Sequence, residues 1–250
     1  MIIAQISDLH LGPQFVEDSY RKAVEEILEL KPDVVVASGD FTENGLLREY
    51  RLAAKEMDAL KGFPVITVAG NHDYRSTGYL IYKEIFGEKQ INQQGGAVFF
   101  SVSTARPDRD EGEVGHRQNI WLEESLKKYE GKAKVVVMHH HVIQVPDTGT
   151  DRITIVDAGD VLKSLLAAGA TLVLCGHRHR PWMWRINEML IVHAGTVSSE
   201  RTRGYFANTY NIIELNESTG EASVSLKLVG GRRIPMDEVV KERETYIPQI

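Results

Sequence analysis

The stretch Ile2-Ile3-Ala4-Gln5-Ile6-Ser7-Asp8-Leu9-His10 joins a short apolar run to a polar motif. The run over residues 2–6 has the length and composition of a buried strand. Asp8 and His10 follow directly where this strand should end. Since the same arrangement recurs along the chain, the stretch predicts a fold in which buried strands carry polar residues just beyond their carboxyl ends.

Helical patterns alternate with apolar runs through the first 175 residues. The predicted strands of this part are Ile2–Ile6, Asp33–Ala37, Pro64–Ala69, Ala97–Ser103, Lys134–Met138 and Thr171–Cys175. The predicted helices are Glu17–Leu30, Leu46–Leu60, Gln118–Tyr129 and Ala158–Leu166. Short strands follow over Trp182–Ile186, Leu190–His193, Thr209–Leu215 and Ala222–Leu228. This order predicts an α/β fold with parallel strands.

The chain length of 250 residues fits one large domain, or one domain with a small appendage. No linker or repeat divides it, so residues 1–230 are expected to form a single domain. From Gly231 the sequence is polar and charged, and residues 231–250 are predicted to be a C-terminal arm or frayed end.

Composition narrows the class of protein. The net charge is −6, from 29 basic and 35 acidic residues, which disfavours a dedicated nucleic-acid binder without excluding a nuclease. The single cysteine, Cys175, permits no intrachain disulfide and is expected to be a buried, inert thiol. No signal peptide and no apolar run near 18 residues is visible, so the expectation is a cytoplasmic protein with no membrane partner.

Five polar motifs each follow an apolar strand. They are Asp8-Leu9-His10, Gly39-Asp40, Gly70-Asn71-His72-Asp73, His139-His140-His141 and Gly176-His177-Arg178-His179. In open α/β sheets ligands bind beyond the carboxyl ends of the strands, so the five motifs should meet in one cleft. Carboxylate, carbonyl and imidazole groups together suit Mn, Fe, Zn or Mg. Each motif alone is weak, but five in order predict a metal site.

In this pattern the chain resembles the calcineurin-like metallophosphoesterase superfamily, and within it the class III cyclic-nucleotide phosphodiesterases and related bacterial and archaeal enzymes. The resemblance covers residues 1 to about 200. It implies a four-layer α/β/β/α sandwich of two mixed sheets flanked by helices. It also implies two metal ions that share Asp40. The first would be held by Asp8, His10, Asp40 and His179, and the second by Asp40, Asn71, His139 and His177.

The resemblance further implies that His72 is a catalytic residue that contacts the phosphate and protonates or stabilises the leaving oxygen. The expected activity is hydrolysis of small-molecule phosphodiesters, such as cyclic nucleotides or glycerophosphodiesters, by in-line attack of a hydroxide that bridges the metals. A nuclease and a phosphomonoesterase are the alternatives, and a non-enzymatic scaffold is less favoured because all seven ligands and His72 are present. A homodimer is compatible with the sequence, which does not fix the oligomeric state.

Several residues near the motifs have open roles. Consecutive residues at a strand end point in opposite directions, so the three histidines of residues 139–141 cannot all bind metal. His139 is chosen as the ligand, whereas His140 and His141 are either near the site or partly exposed. Asp73 is expected to orient a histidine, and His193 to be a structural histidine near the site. The charged loop 108–113 is expected to be solvated rather than a lid.

Overall fold

The structure is a computed structural model that describes residues 1–148, 154–202 and 207–241. Its strands are β1 (Ile2–Ile6), β2 (Val34–Ala37), β3 (Val65–Thr67), β4 (Ile91–Gln94), β5 (Ala97–Ser101), β6 (Ala133–Val137), β7 (Leu172–Cys175), β8 (Trp182–Ile186), β9 (Met189–His193), β10 (Thr209–Leu215), β11 (Ala222–Leu228) and β12 (Arg233–Pro235). Its helices are α1 (Glu17–Leu30), α2 (Leu47–Met57), α3 (Gly78–Phe86), α4 (His116–Lys127), α5 (Ala158–Ala167) and α6 (Met236–Lys241), with a 3₁₀ turn at Asp58–Leu60.

The strands form two six-stranded mixed sheets. The first has the order β12-β11-β10-β1-β2-β3, and its strands β1, β2 and β3 are parallel. The second has the order β4-β5-β6-β7-β9-β8, and its strands β5, β6, β7 and β9 are parallel. Antiparallel strands complete both sheets at their edges. The two mixed sheets that the resemblance implies are therefore confirmed.

The alternation of side chains along each strand builds four layers. On β1, Ile3 packs between the two sheets, whereas Ala4 and Ile6 pack against the helices that cover the first sheet. The second sheet is covered on its outer face in the same way, since its apolar side chains pack with Leu122 of α4 and Leu165 of α5. The result is the predicted order of helices, sheet, sheet and helices.

The carboxyl ends of the central parallel strands of both sheets lie at one rim of the sandwich. A hydrogen bond across the sheets fixes their relative position there, because Gln5 Nε2 on β1 donates to the Cys175 carbonyl of β7 over 3.0 Å. Asn211 Nδ2 on β10 donates to Gln5 Oε1 over 3.0 Å and extends this buried bridge. All five polar motifs follow strands that end at this rim.

The sequence patterns missed helix α3 and strand β4. Residues 79–82 of α3 are consecutively apolar, so they show no helical period that would set one face apart from the other. The helix is nonetheless well anchored, since the Phe86 ring stacks on Phe41 with centroids 4.6 Å apart. Tertiary packing of aromatic rings therefore stabilises helix α3, which its own sequence pattern does not predict.

The prediction of an arm or frayed end from Gly231 is wrong for residues 233–241. Strand β12 pairs antiparallel with β11, and α6 places Met236 and Val239 in the core between the sheets. Helix α6 has only six residues and starts directly after Pro235, so its two apolar side chains are too few to form a recognisable period. Residues 242–250 of the predicted arm lie outside the described part of the chain.

Within the described ranges, every helix is too short or too polar to cross a lipid bilayer. This agrees with the sequence, in which no apolar run approaches the length of a span.

Substitution of Met236 tests the integration of the C-terminal segment. Met236 is fully buried, so Met236→Ala should lower the free energy of unfolding by about 2–5 kcal/mol, measured by urea denaturation. Leu80→Ala on α3 is the control, because the Leu80 side chain is largely exposed. Equal stability of the two variants would mean that the segment is not part of the core.

Candidate metal centre

The backbone at the rim turns sharply at most of the predicted ligands. Five of the seven have φ angles in the left-handed region: Asp8 (53°), His10 (52°), Asp40 (51°), His177 (76°) and His179 (52°). Non-glycine residues adopt this conformation at an energetic cost, and such positions cluster at functional sites. The turns aim the side chains into one space instead of along the strand directions.

One group of side chains gathers around Asp8. His179 Nε2 lies 3.2 Å from Asp8 Oδ1 and 2.9 Å from His10 Nε2. His10 Nε2 lies 3.7 Å from Asp40 Oδ2. One oxygen or nitrogen from each of Asp8, His10 and His179 lies within 4.8 Å of the others. Together with Asp40, these three residues are the set predicted for the first metal ion.

A second group gathers on the other side of Asp40. His139 Nε2 lies 3.2 Å from Asp40 Oδ2 and 3.2 Å from Asn71 Oδ1. His177 Nδ1 lies 3.0 Å from the same Asn71 oxygen. The structure therefore brings the seven predicted residues into two adjoining groups, and the Asp40 carboxylate lies between them. Their role as metal ligands stays a prediction.

Three of the four predicted histidine ligands are fixed by a hydrogen bond from Nδ1, the ring nitrogen that points away from the cluster. His10 Nδ1 donates to Glu43 Oε2 over 2.8 Å, and His139 Nδ1 donates to the Ser38 carbonyl over 2.8 Å. His179 Nδ1 donates to the Arg201 carbonyl over 2.5 Å. Because Nδ1 carries the proton in each, Nε2 presents a lone pair to the cluster when the ring is neutral. This pattern is typical of histidines that bind metal.

The buried negative charges of the site favour the binding of a cation. Asp8 and Asp40 are buried, and burial alone would raise the pKa of each carboxyl. The neighbouring His179 lowers the pKa of Asp8 below its usual value, and His139 with His72 lowers that of Asp40 well below it. Burial lowers the pKa of His139, but Asp40 outweighs it and raises the value to about 9. Two buried carboxylates surrounded by inward-facing lone pairs fit divalent cations.

His72 differs from the predicted ligands in its hydrogen bonds. One of its ring nitrogens lies within 4.8 Å of ligand atoms of His10 and Asp40. However, His72 Nδ1 donates to the Glu43 carbonyl over 2.7 Å, and Arg75 Nη2 lies 3.3 Å from His72 Nε2. Both ring nitrogens therefore have partners outside the cluster. Its backbone N–H also donates to Asp40 Oδ1 over 2.9 Å, which holds the residue at the edge of the site.

Asp73 does not orient a histidine, so that prediction is wrong. Its carboxylate accepts hydrogen bonds from the Phe41 and Thr42 N–H groups, the Thr42 hydroxyl and the Gly70 N–H, at 2.9–3.2 Å. It therefore ties together the two loops that carry Asp40 and Asn71. Burial and then the charge of Asp40 raise the pKa of Asp73 to about 6.

His140, His141 and His193 are all buried, so the alternative of partly exposed side chains is wrong for the first two. His140 Nε2 donates to the Asp110 carbonyl over 3.1 Å, and Nδ1 contacts the Thr104 hydroxyl at 2.8 Å. His141 Nε2 donates to the Gly176 carbonyl over 2.7 Å, and its ring packs edge-on against His193. The interpretation of His193 as a structural histidine agrees with this packing.

Two residues of the site were missed by the sequence patterns. Glu43 fixes His10 through its carboxylate and His72 through its carbonyl, and its place three residues after Asp40 is the signal that could have indicated it. Asp110 Oδ1 accepts from Asn71 Nδ2 over 3.2 Å, which turns the Asn71 oxygen towards the histidines. The charged loop therefore reaches the site, whereas the sequence favoured a purely solvated loop.

A methyl group at Gly70 tests the packing around Asp40. A Cβ atom there would lie 2.1 Å from Asp40 Oδ1 and 2.6 Å from the Asp40 backbone nitrogen, so the carboxylate must move. Gly70→Ala should weaken manganese binding about 10–100-fold, measured by titration of metal-stripped protein. Gly62→Ala is the matched control, since its Cβ would meet no atom within 4 Å. Unchanged affinity in Gly70→Ala would contradict the described geometry.

Acid should destabilise the fold through the buried histidines. Burial lowers the pKa of His193 to about 3, below the ordinary value of 6.5. A depressed histidine pKa contributes stability above pH 6.5, and this contribution is lost as the pH falls from 6.5 towards 3 because the unfolded chain takes up the proton. The loss in unfolding free energy from pH 7 to pH 5 should be about 2 kcal/mol smaller in His193→Leu than in the unsubstituted protein.

His116→Leu is the control for this titration, because His116 is exposed at the start of α4. Urea denaturation of metal-stripped protein at the two pH values measures the difference. A parallel loss in His193→Leu and in the unsubstituted protein would refute the buried neutral state of His193.

Several known proteins are similar to this chain in sequence or in fold. Glycerophosphodiester phosphodiesterase GpdQ of Enterobacter lignolyticus is 26% identical over 251 residues, covering 90% of each chain. A probable cyclic nucleotide phosphodiesterase of Xenorhabdus bovienii is 24% identical and covers 85% of this chain and 91% of its own. The crystal structure of a dimetal phosphatase from Danio rerio superposes with a TM-score of 0.68 at 15% identity, covering 94% of this chain and 98% of that chain.

The family model for calcineurin-like phosphoesterases matches residues 1–181, which contain all five motifs. The match ends shortly after the last predicted ligand, His179. The chain therefore belongs to the calcineurin-like phosphoesterase family of metal-dependent hydrolases.

Proposed function

We propose that the protein hydrolyses small-molecule phosphodiesters at a centre of two divalent metal ions. The observation that carries the proposal is the position of the Asp40 carboxylate between the two groups of predicted ligands. Its Oδ2 lies 3.2 Å from His139 Nε2 and 3.7 Å from His10 Nε2. A carboxylate in this position can serve both ions.

In this proposal the ligands of the first ion are Asp8, His10, Asp40 and His179, and those of the second are Asp40, Asn71, His139 and His177. Mn, Fe and Zn suit these donors, and Mg is also compatible with them. Two such ions would neutralise the phosphate and lower the pKa of water from 15.7 towards about 7.

His72 is the proposed proton donor. In the hydrolysis, the oxygen of a water molecule forms a bond to phosphorus while the bond between phosphorus and the leaving oxygen breaks. The leaving oxygen needs a proton, and a histidine side chain can supply one near neutral pH. Because Nδ1 of His72 donates to the Glu43 carbonyl, Nε2 is the atom that would deliver the proton, and it would do so from the doubly protonated ring after the Arg75 guanidinium has turned away from it.

Diesters are preferred to monoesters in this proposal. Two relatives at 24–26% identity are named for diester substrates, glycerophosphodiesters in one case and cyclic nucleotides in the other. The net charge of −6 gives no support to a nucleic-acid substrate. The proposed site of action remains the cytoplasm, and a homodimer remains a prediction.

The test is hydrolysis by metal-stripped protein to which Mn, Fe, Zn or Mg is added singly. Bis(4-nitrophenyl) phosphate should be cleaved faster than 4-nitrophenyl phosphate. Asp40→Asn should hydrolyse the diester more than about 100-fold more slowly, while its melting temperature stays close to that of the unsubstituted protein. A faster rate with the monoester, or full activity of Asp40→Asn, would refute the proposal. Cleavage of DNA with a steep salt dependence would favour a nuclease instead.

His72→Ala separates proton donation from metal binding. The variant should keep its bound metal but lose about 10²–10⁴-fold in rate with alkyl leaving groups, which need a proton. With 4-nitrophenolate as the leaving group the loss should be smaller, because this anion leaves without protonation. Release of metal from His72→Ala would show that His72 is a ligand and not the proton donor.

A further inference from the structure

A cavity of about 340 Å³ lies at the edge of the sandwich where β3 ends the first sheet. Its volume is within the range of small-molecule sites. The end of β3 and the end of β5 line it from the two sheets, and α3 and the segment between α3 and β4 complete its walls. None of the seven predicted metal ligands, all of which the structure describes, lines this edge cavity. It is therefore a separate space from the candidate metal centre.

One wall of the edge cavity carries a buried hydroxyl group. Ala97 and Phe99 of β5 pack between the two sheets, and the alternation along the strand places the Ser101 side chain on the same face. Its Oγ atom is shielded from solvent and has no hydrogen-bond partner among the described residues. A buried polar group without a partner is unfavourable, so a ligand that forms a hydrogen bond with this hydroxyl would remove an energetic cost.

The opposite wall is the open edge of the first sheet. Among the described strands β3 pairs only with β2, and just beyond β3 the Val68 N–H donates to the Ala37 carbonyl over 3.2 Å. Backbone N–H groups alternate in direction along a strand, so the Thr67 N–H points away from β2 towards the open edge. Because Thr67 lines the cavity, this edge offers a further hydrogen-bond donor to a ligand.

The lining contains one positive charge that is not offset by a nearby carboxylate. Lys89 and Glu88 are both exposed members of the lining, and Glu88 Oε2 forms an ion pair with Lys83 at 2.7 Å. Lys89 has no ion-pair partner in the part of the chain that the structure describes. Together with the Ser101 hydroxyl and the Thr67 N–H, its ammonium group gives the cavity three donors for an anion.

The rest of the lining suits an apolar body. The rings of Tyr74 and Tyr82 and the side chains of Val68 and Ala69 line the cavity beside these donors. The Tyr82 hydroxyl already donates to Thr67 Oγ1 over 2.9 Å, so a ligand would meet its ring. One cation next to apolar surface matches a monoanion with an apolar body, whereas a dianionic phosphate would keep one charge without compensation.

We propose that the edge cavity binds a small monocarboxylate with an apolar body. Lys89 supplies the opposite charge, Ser101 donates a hydrogen bond to the carboxylate, and the apolar body lies against the two tyrosine rings. Such a site is independent of the proposed hydrolysis, because none of its residues is a predicted metal ligand or the proposed proton donor.

The experiment compares 2-naphthoate, which joins a carboxylate to an apolar ring system, with its uncharged analogue 2-naphthamide. Isothermal titration calorimetry of the manganese-loaded protein gives the dissociation constant of each probe. The carboxylate should bind about 3–10-fold more tightly than the amide, because Lys89 is a charged partner in a position that water also reaches.

Two variants test the donors. Lys89→Gln should abolish the preference for the carboxylate over the amide, and Ser101→Ala should weaken binding of the carboxylate about 2–10-fold. Lys128→Gln is the matched control, since Lys128 is an exposed lysine outside the lining and should leave both affinities unchanged.

Two further variants test the location. Ser103 is an exposed member of the lining, so Ser103→Trp should obstruct the cavity and abolish binding of both probes without lowering the melting temperature. Asp40→Asn should bind 2-naphthoate as the unsubstituted protein does, because Asp40 lies outside the cavity.

Equal affinities for the two probes, or no binding of either, would overturn the proposed carboxylate. Unchanged affinity for 2-naphthoate in Lys89→Gln, Ser101→Ala and Ser103→Trp would overturn the edge cavity as its site. Weaker binding to Asp40→Asn would place the carboxylate at the metal centre and would likewise overturn the proposal. All of these measurements are of binding, so a failure of the proposed hydrolysis would not alter them.

Discussion

The need to balance two buried carboxylates shapes the rim of this protein. Asp8 and Asp40 lie among imidazole groups with almost no access to water, and an isolated charge in such a place is strongly unfavourable. In the absence of metal, protons on neighbouring histidines supply the compensation, as the raised pKa of His139 indicates. A site that already collects positive charge in this way is prepared to exchange those protons for cations.

The surrounding residues hold this arrangement through many hydrogen bonds that converge on few groups. Asp73 receives four bonds from the loops of Asp40 and Asn71, and Glu43 fixes His10 and His72 at once. Such supports restrict the orientation of the predicted ligands before any ion arrives. Because each supporting residue holds groups of two motifs, a substitution at one of them should displace predicted ligands in both.

The sequence predicted the part of the site that consists of residues directly following strands. Asp8, Asp40, Asn71, His139 and His177 could be placed because the strand before each is apolar and the topology brings the strand ends together. Asp110 could not be placed at the site from the sequence, since 39 positions separate it from Asn71 and no pattern in its loop indicates that contact. Helix α3 and the short helix α6 were not predicted for a related reason, because long-range packing rather than local periodicity defines them.

The pairing of β1 has a consequence for how the chain is made. This first strand lies between β2, which follows closely, and β10, whose Glu214 pairs with Ile2. During synthesis on the ribosome every predicted ligand is translated before β10, so the nascent protein must carry β1 with one open edge. Such an edge invites pairing with other chains until the late strand arrives. Release of the ribosome after His179 but before β10 would therefore yield fragments that hold all the predicted ligands but cannot complete their first sheet.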